Sequence, residues 1–191
     1  THSWFAEDMT SASDMMLTSP AFGVGATTAM SFWHTYAFES TTTCYDGGTL
    51  EWSADGVIWT VVPAADFTAG AYNGTIYASS NPIYGKAAWC GGMIGALTQV
   101  SLNLGTDAGL LGKTIQLRWH EGSDSSVAVT GWYVDTVSVA NAQIGGACEV
   151  GARRREEAPA QDRSGDADGN VDVEDPGPRP GIGEPAAKCG A

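Results

Sequence analysis

Large apolar residues alternate with small or polar ones along most of the first 145 residues of the chain. Between residues 30 and 38 the even positions are Met, Phe, His, Tyr and Phe, and the odd positions are smaller apart from Trp33. A period of two places alternate side chains on opposite faces, which is typical of a β-strand. The same test predicts strands at residues 50–53, 57–62, 98–104, 114–120 and 132–139.

Glycine, asparagine and aspartate separate these predicted strands. Asp55-Gly56 indicates a tight hairpin turn, because glycine adopts the positive φ that such turns require. The chain has no convincing amphipathic helix pattern, and parallel sheets need crossover connections that are usually helical. We therefore expect an all-β fold, a jelly-roll β-sandwich of two antiparallel sheets, over residues 1–147.

Residues 148–191 differ in composition from the rest of the chain. They are acidic, rich in proline and glycine, and contain no aromatic residue. Such a segment buries too little apolar surface to form its own core. We expect an extended, irregular C-terminal tail.

Charge narrows the classes of partner. The formal net charge is −13, and residues 1–150 contain only Lys86, Lys113 and Arg118 as Lys or Arg against thirteen acidic residues. Nucleic acid is excluded as a partner because phosphate binding needs a basic surface.

No apolar run is long enough to cross a bilayer, so we expect no membrane insertion. Sparse charge, many Ser and Thr residues and four cysteines favour an extracellular location.

The four cysteines, Cys44, Cys90, Cys148 and Cys189, allow three disulfide pairings and lack the C-x-x-C spacing of zinc or redox sites. Disulfides are the favoured interpretation. A Cys44–Cys90 bond would close a loop of about 47 residues and contribute roughly 4 kcal/mol. Cys148 and Cys189 would then tie the tail to itself or to the domain.

Four segments resemble a known family: residues 13–22, residues 31–34, residues 45–56 with Trp59, and residues 131–135. In this order they are similar to the MAM-like jelly-roll modules of secreted bacterial proteins, such as those attached to immune inhibitor A-type metallopeptidases. The resemblance implies a jelly roll stabilised by calcium, with Asp135 of the Trp-Tyr-Val-Asp motif as a ligand. Related jelly rolls take a second acidic ligand from an early Phe-Glu strand, whereas Phe38-Glu39 of this chain comes later in the order.

Residues 165–175 of the tail resemble the calcium loop of dockerin-like repeats. The resemblance places Asp166, Asp168 and Asn170 at its first three ligand positions, and Asp172 and Asp175 at the remaining ones if a shorter loop is accommodated. The alternative is a solvated acidic linker.

The sequence predicts no catalytic activity. It lacks the common nucleophile, zinc-protease and phosphate-binding motifs. We expect His34 to be a hydrogen-bonded core residue and His120 to be exposed. Two carboxylates suffice for glycoside hydrolysis, but the spacing of Glu39, Asp46 and Glu51 does not favour it.

Seven Trp and six Tyr residues suggest carbohydrate binding as an alternative. Trp52, Trp119 and Trp132 share faces with aliphatic residues and should lie in the core. The candidate sugar-binding aromatics are Trp33, Trp89, Tyr72, Tyr77 and Tyr84. Asn73-Gly74-Thr75 is a candidate N-glycosylation sequence.

These observations predict a non-catalytic, calcium-stabilised extracellular module for adhesion or self-assembly. Its partners would be another protein or further copies of itself, with the tail bridging copies in a filament. The alternative is a carbohydrate-binding accessory module of a secreted hydrolase. An assembly subunit needs no exposed aromatic platform, whereas a sugar-binding module does.

Overall fold

A computed structural model describes residues 2–40 and 42–143 of the chain. These residues form twelve β-strands and two single-turn 3-10 helices, at Ala64–Asp66 and Leu104–Thr106. The strands are β1 (Trp4–Glu7), β2 (Ser13–Thr18), β3 (Phe22–Gly23), β4 (Ala29–Ala37), β5 (Gly47–Ser53), β6 (Thr60–Val61), β7 (Phe67–Ala69), β8 (Gly74–Thr75), β9 (Ala87–Ala88), β10 (Thr98–Asn103), β11 (Thr114–Ser123) and β12 (Gly131–Ala140). Within these described ranges, no helix has the length and apolar character needed to cross a membrane.

Two antiparallel sheets make up the sandwich. The first has the strand order β1-β12-β4-β10-β7, and the second has the order β2-β11-β5-β6, with β3 paired to the start of β11. Strands β8 and β9 form a separate two-stranded ribbon. The predicted all-β sandwich of antiparallel sheets is confirmed.

The core lies between the two sheets because each central strand buries every second side chain. On β11 the side chains of Ile115, Leu117 and Trp119 point inward, and on β4 those of Met30 and Phe32 do. The Phe32 and Trp119 rings meet edge to face with centroids 5.5 Å apart, which joins the sheets through an aromatic contact.

The predicted strand at residues 57–62 is wrong over its first half, because only Thr60–Val61 pairs with β5. The Asp55 carboxylate accepts hydrogen bonds from the backbone N–H groups of Val57 and Ile58, both at 2.8 Å. A side chain that captures backbone donors in this way competes with strand pairing. The predicted tight hairpin turn at Asp55-Gly56 is also wrong. Gly56 has a φ of +73°, but the paired residues that flank it are Trp52 and Thr60, so a wider loop joins β5 to β6.

The long connection between β7 and β10 covers part of the outer face of the second sheet. It contains a second, smaller apolar cluster formed by Ile76, Ile83, Ala88 and Cys90, with Cys44 packed against it. Cys44 and Cys90 form a disulfide inside this cluster, which is the bond expected in one of the three possible pairings of the four cysteines. We call residues 70–92 the covering loop.

A buried acidic cluster as a candidate cation site

Three acidic side chains from distant parts of the chain meet at one end of the sandwich. Glu39 follows β4, Asp46 precedes β5, and Asp124 follows β11. Because β5 and β11 run antiparallel, with Gly47 paired to Gly122, the start of one lies beside the end of the other. One carboxylate oxygen of each acid lies within 4.8 Å of the others.

The Asp46 carboxylate is fully buried and only partly hydrogen-bonded. Its Oδ1 accepts a hydrogen bond from the backbone N–H of Asp124 at 2.5 Å and a longer one from Asn81 Nδ2 at 3.4 Å. Its Oδ2 has no hydrogen-bond partner among the described residues. A buried carboxylate oxygen without a partner costs free energy, so this oxygen could accept a cation or carry a proton.

Asp8, which follows β1, brings a fourth carboxylate to this end of the sandwich. Its Oδ2 accepts the backbone N–H groups of Glu39 at 3.2 Å and Val129 at 3.0 Å, and its Oδ1 accepts the hydroxyl of Ser123 at 3.1 Å. Asp8 therefore holds in place the segments that carry Glu39 and Asp124.

Burial disfavours the ionised form of Asp46 in the cluster. Burial, together with the charges of Asp8 and Asp124, raises the pKa of Asp46 to about 8, although the hydrogen bond from the Asp124 backbone opposes this change. Burial likewise raises the pKa of nearby Glu121 to about 7. Burial is the main cause of both changes, and nearby acidic groups add to it.

The three Lys and Arg side chains of the described ranges contact other residues, away from the acidic cluster. Lys86 Nζ and Arg118 Nε each lie 2.5 Å from the Glu51 carboxylate, and Lys113 Nζ lies 4.9 Å from the centre of the Trp52 ring. None of the three is therefore available to neutralise the acidic cluster.

The donor set of the cluster selects a class of cation. Glu39, Asp46 and Asp124 offer carboxylate oxygens only, which are the ligands preferred by hard cations such as Ca²⁺ and Mg²⁺. Asp46 and Asp124 are buried, while Glu39 is half-buried. The arrangement could hold a cation near the surface of the sandwich end.

Asp135, the ligand implied by the family resemblance, is not part of this cluster. Asp135 is on β12 and pairs with Trp33 of β4. It lies four residues, or about 13 Å, along the strand from Gly131, the residue of β12 at the end of the sandwich that carries the acidic cluster. Its carboxylate accepts hydrogen bonds from the hydroxyls of Thr136 at 2.8 Å and Ser3 at 2.9 Å, and these bonds lower its pKa.

The sequence carries a signal for two members of the cluster. Glu39 belongs to the Phe-Glu pair that comes later than in related jelly rolls, and Asp46 belongs to the Tyr-Asp-Gly-Gly segment of the resemblance. The sequence compares Glu39 with the Phe-Glu ligand of related jelly rolls, and it offers Glu39, Asp46 and Glu51 as a possible hydrolase pair. The structure brings the first two together and places Glu51 in a separate network.

That network buries Glu51 on the outer face of the second sheet. Besides Lys86 and Arg118, His120 approaches Glu51 with Nδ1 at 2.9 Å, and its Nε2 contacts Asp14. Burial would raise the pKa of Glu51, but the hydrogen bonds from these three groups outweigh it and lower the pKa to about 2. The expectation that His120 is exposed is wrong, because the covering loop and these contacts bury it.

The candidate sugar-binding aromatic residues differ in how far the structure exposes them to solvent. Trp89 is only 2% exposed, so the prediction that it is accessible is wrong, and its indole N–H donates to the carbonyl of Gly70. Tyr72 is half-buried and its hydroxyl donates to the carbonyl of Leu50. Tyr77 and Tyr84 are exposed at 71% and 55%, and Trp33 at 37%.

The remaining predicted site residues are of two kinds. Asn73 is exposed, but its side-chain amide makes two hydrogen bonds to the backbone of Cys90. The others lie outside the described residues: Asp166, Asp168, Asn170, Asp172, Asp175, Cys148 and Cys189.

No protein-family model matches the chain, and neither a curated protein nor a solved structure matches it.

Proposed function

We propose that this protein is a non-catalytic extracellular interaction module whose loops at one end are fixed by a calcium ion. The observation that carries the proposal is the buried carboxylate of Asp46, whose Oδ2 lacks a hydrogen-bond partner among the described residues and which has an oxygen within 4.8 Å of carboxylate oxygens of Glu39 and Asp124. A divalent cation would compensate the charge that burial makes unfavourable.

Calcium suits this cluster better than magnesium. Calcium accepts six to eight oxygen ligands in flexible geometry, whereas magnesium demands a near-ideal octahedron and retains its waters. The carboxylates of the cluster come from loops between strands, and Glu39 leaves one side accessible to water. Carboxylates and water together would complete the shell of a calcium ion.

Burial supports a structural role for these acids over a catalytic one. Asp46 is fully buried and Asp124 is nearly so, which keeps a substrate away from both carboxylates. The Cys44–Cys90 disulfide supports an oxidising, extracellular location.

Thermal unfolding of the full chain with calcium, magnesium or a chelator tests the cation site. We expect calcium to stabilise the protein by about 3 kcal/mol at a hundred times its Kd. Asp46→Asn should abolish this response, because the amide removes a carboxylate ligand from the cluster. Asp66→Asn is the matched control, since Asp66 also buries an oxygen without a hydrogen-bond partner in the described ranges. An unchanged Tm in calcium, with Asp46→Asn behaving like Asp66→Asn, would contradict the site.

An exposed apolar loop supports the adhesion or assembly role. Val57 and Ile58 are 80% and 71% exposed. The loop is held by the Asp55 carboxylate and by the stacking of Arg118 on Trp59, with 4.3 Å from the guanidinium carbon to the ring centre. A rigid loop that presents two β-branched side chains loses little entropy on binding.

Sedimentation velocity over a range of protein concentrations tests self-assembly through this loop. We expect the wild-type protein to associate and Val57→Ser/Ile58→Ser to remain monomeric. Val127→Ser/Val129→Ser, at two other exposed valines, is the control and should associate like the wild type. A wild-type protein that stays monomeric at high concentration would contradict self-assembly. Bridging by the tail concerns residues outside the described ranges and stays a prediction.

Carbohydrate binding is the second candidate, and two exposed tyrosines favour it. Tyr77 and Tyr84 lie on the covering loop, where a hydrogen bond from Gly85 N–H to the Ile76 carbonyl at 2.9 Å brings their segments side by side. A glycan array compares the wild type with Tyr77→Ala/Tyr84→Ala. Binding that the double variant loses would favour this function over assembly.

A further inference from the structure

The disulfide and the acidic cluster share one short segment of chain. Cys44 lies two residues before Asp46 and is bonded to Cys90 of the covering loop. The same segment is held by a hydrogen bond from the Tyr77 N–H to the Cys44 carbonyl at 2.9 Å. Movement of Cys44 would therefore be transmitted to Asp46 through a single intervening residue, Tyr45.

Asn81 forms a second connection between the covering loop and the cluster. It is 3% exposed, and its Nδ2 lies 2.6 Å from the Gly122 carbonyl and 3.0 Å from the Tyr45 carbonyl. The same amide nitrogen lies 3.4 Å from Oδ1 of Asp46. Asn81 thus contacts both segments that supply the buried acids, the one before β5 and the one at the end of β11.

The covering loop holds Asn81 in place through its own contacts. Asn81 Oδ1 accepts the backbone N–H of Ile83 at 2.9 Å, and Ile83 packs in the small apolar cluster that contains the disulfide. Besides the backbone hydrogen bonds between Trp89 and Gly48, the disulfide constrains this loop covalently. Breaking the bond would leave Asn81 less firmly positioned.

The hydrogen bonds at Asp46 explain why its orientation matters. Oδ1 is occupied by donors from Asn81 and from the Asp124 backbone, whereas Oδ2 has no hydrogen-bond partner among the described residues. Without Asn81 the carboxylate keeps one donor and can rotate about its terminal torsion, which is a soft degree of freedom.

From these contacts we infer that Asn81 is a positioning residue for the cation site and that the Cys44–Cys90 disulfide and cation binding stabilise each other. The inference rests on the proposed cation site. Breaking the disulfide weakens calcium binding through Asn81 and the segment that precedes Asp46. Reciprocity of linked equilibria requires calcium to make the disulfide harder to reduce by the same factor.

Calorimetric titration with calcium chloride tests the first half of the inference. We expect Asn81→Ala and Cys44→Ala/Cys90→Ala each to weaken calcium binding roughly tenfold, within the usual range of coupling between sites. The triple variant should lose less than the product of the two effects, because both act on Asp46.

A matched control separates positioning from general destabilisation. Leu110 is buried in the main core just before β11 begins, at the end of the sandwich opposite to the acids. Leu110→Ala should lower the Tm and leave the calcium Kd of the folded protein unchanged. If Asn81→Ala behaves in the same way, its role is only structural and the inference is overturned.

Reduction by dithiothreitol in the presence and absence of calcium tests the second half. The disulfide takes up two electrons and two protons to give two thiols, and dithiothreitol becomes its cyclic disulfide. We expect calcium to lower the equilibrium constant for reduction by the factor that separates the two Kd values. This measurement uses the wild-type chain and stays informative if the cysteine variant fails to fold.

The outcomes distinguish this inference from the proposed function. A wild-type protein that binds no calcium overturns the cation site and the coupling together. A wild-type protein that binds calcium with the same Kd before and after reduction overturns the coupling alone.

Discussion

Gly48 of one sheet lies directly against the indole ring of Trp132 in the other. A Cβ built at Gly48 would come within 2.4 Å of two carbons of that ring, which is closer than any real Cβ contact. Strand β5 can therefore approach β12 only because position 48 carries no side chain. Trp132 in turn is fully buried and packs against Trp89 and Trp4.

Gly48→Ala should destabilise the protein by about 1–3 kcal/mol, because the added methyl group overpacks the contact between the sheets. Gly95→Ala is the control, since the nearest atom to its Cβ is 3.9 Å away. Urea denaturation of both variants measures the difference. Equal stabilities for the two variants would contradict the packing described here.

Glu51→Gln should cost about 3–5 kcal/mol, because it leaves Arg118, Lys86 and His120 around a neutral group. Asp14→Asn changes an exposed partner of His120 and should cost less than about 1 kcal/mol. Denaturation at neutral pH gives both values. A small loss for Glu51→Gln would show that this network contributes little.

The lowered pKa of Glu51 predicts loss of stability in acid. The folded state lowers this pKa from 4.5 to about 2, so the folded protein binds the proton less tightly than the unfolded chain. The contribution is complete above pH 4.5 and is lost as the pH falls through about 2. At about 1.4 kcal/mol per pKa unit it amounts to about 3 kcal/mol. Denaturation of the wild type and Glu51→Gln at pH values from 6 down to about 2 should show a flatter profile for the variant.

His34 should stay neutral in the folded protein well below pH 6. Burial lowers its pKa from 6.5 to about 4, and its Nδ1 accepts the Trp132 indole N–H at 3.2 Å. The unfolded chain therefore binds the proton first, and the folded state loses stability as the pH falls from 6.5 to about 4. Long-range proton–nitrogen NMR should show the Nε2–H form throughout this range. A charged ring at pH 6 would contradict the buried hydrogen bond.

Asp55→Ala should loosen the exposed apolar loop. Without the carboxylate, the N–H groups of Val57 and Ile58 lose their shared acceptor and should exchange with solvent much faster. Hydrogen exchange of these two amides, with those of β11 as an internal reference, measures the effect. Unchanged exchange would mean that other contacts fix the loop.

The alternation of side chains predicted the central strands well. The segments recognised around Phe32, Val100, Leu117 and Val134 are all strands of the sandwich, because each buries one face and exposes or covers the other. β1 and β2 were not predicted. They are edge strands, and on β2 the apolar residues Met15, Met16 and Leu17 are consecutive, so no alternation marks the strand.

At two places the pattern of apolar residues gave a wrong prediction, because specific hydrogen bonds determine the local structure. Val57 and Ile58 have the composition of a strand, but the Asp55 carboxylate takes their backbone donors. Trp89 follows a loop-like sequence, yet the backbone of Gly48 pairs with it and draws it into the core. Periodicity cannot register either effect, because both depend on a specific hydrogen bond.

The sequence by itself determined an all-β sandwich, an acidic composition unsuited to nucleic acid, and cysteines with disulfide character, because periodicity and composition are properties of the chain. Only the tertiary structure decided which acids meet. Glu39, Asp46 and Asp124 are separated by up to 85 positions, and they converge because antiparallel pairing brings the ends of β4 and β11 beside the start of β5. The register of strand pairing, and not the order of residues, places these carboxylates together, and burial disfavours the charged form of Asp46.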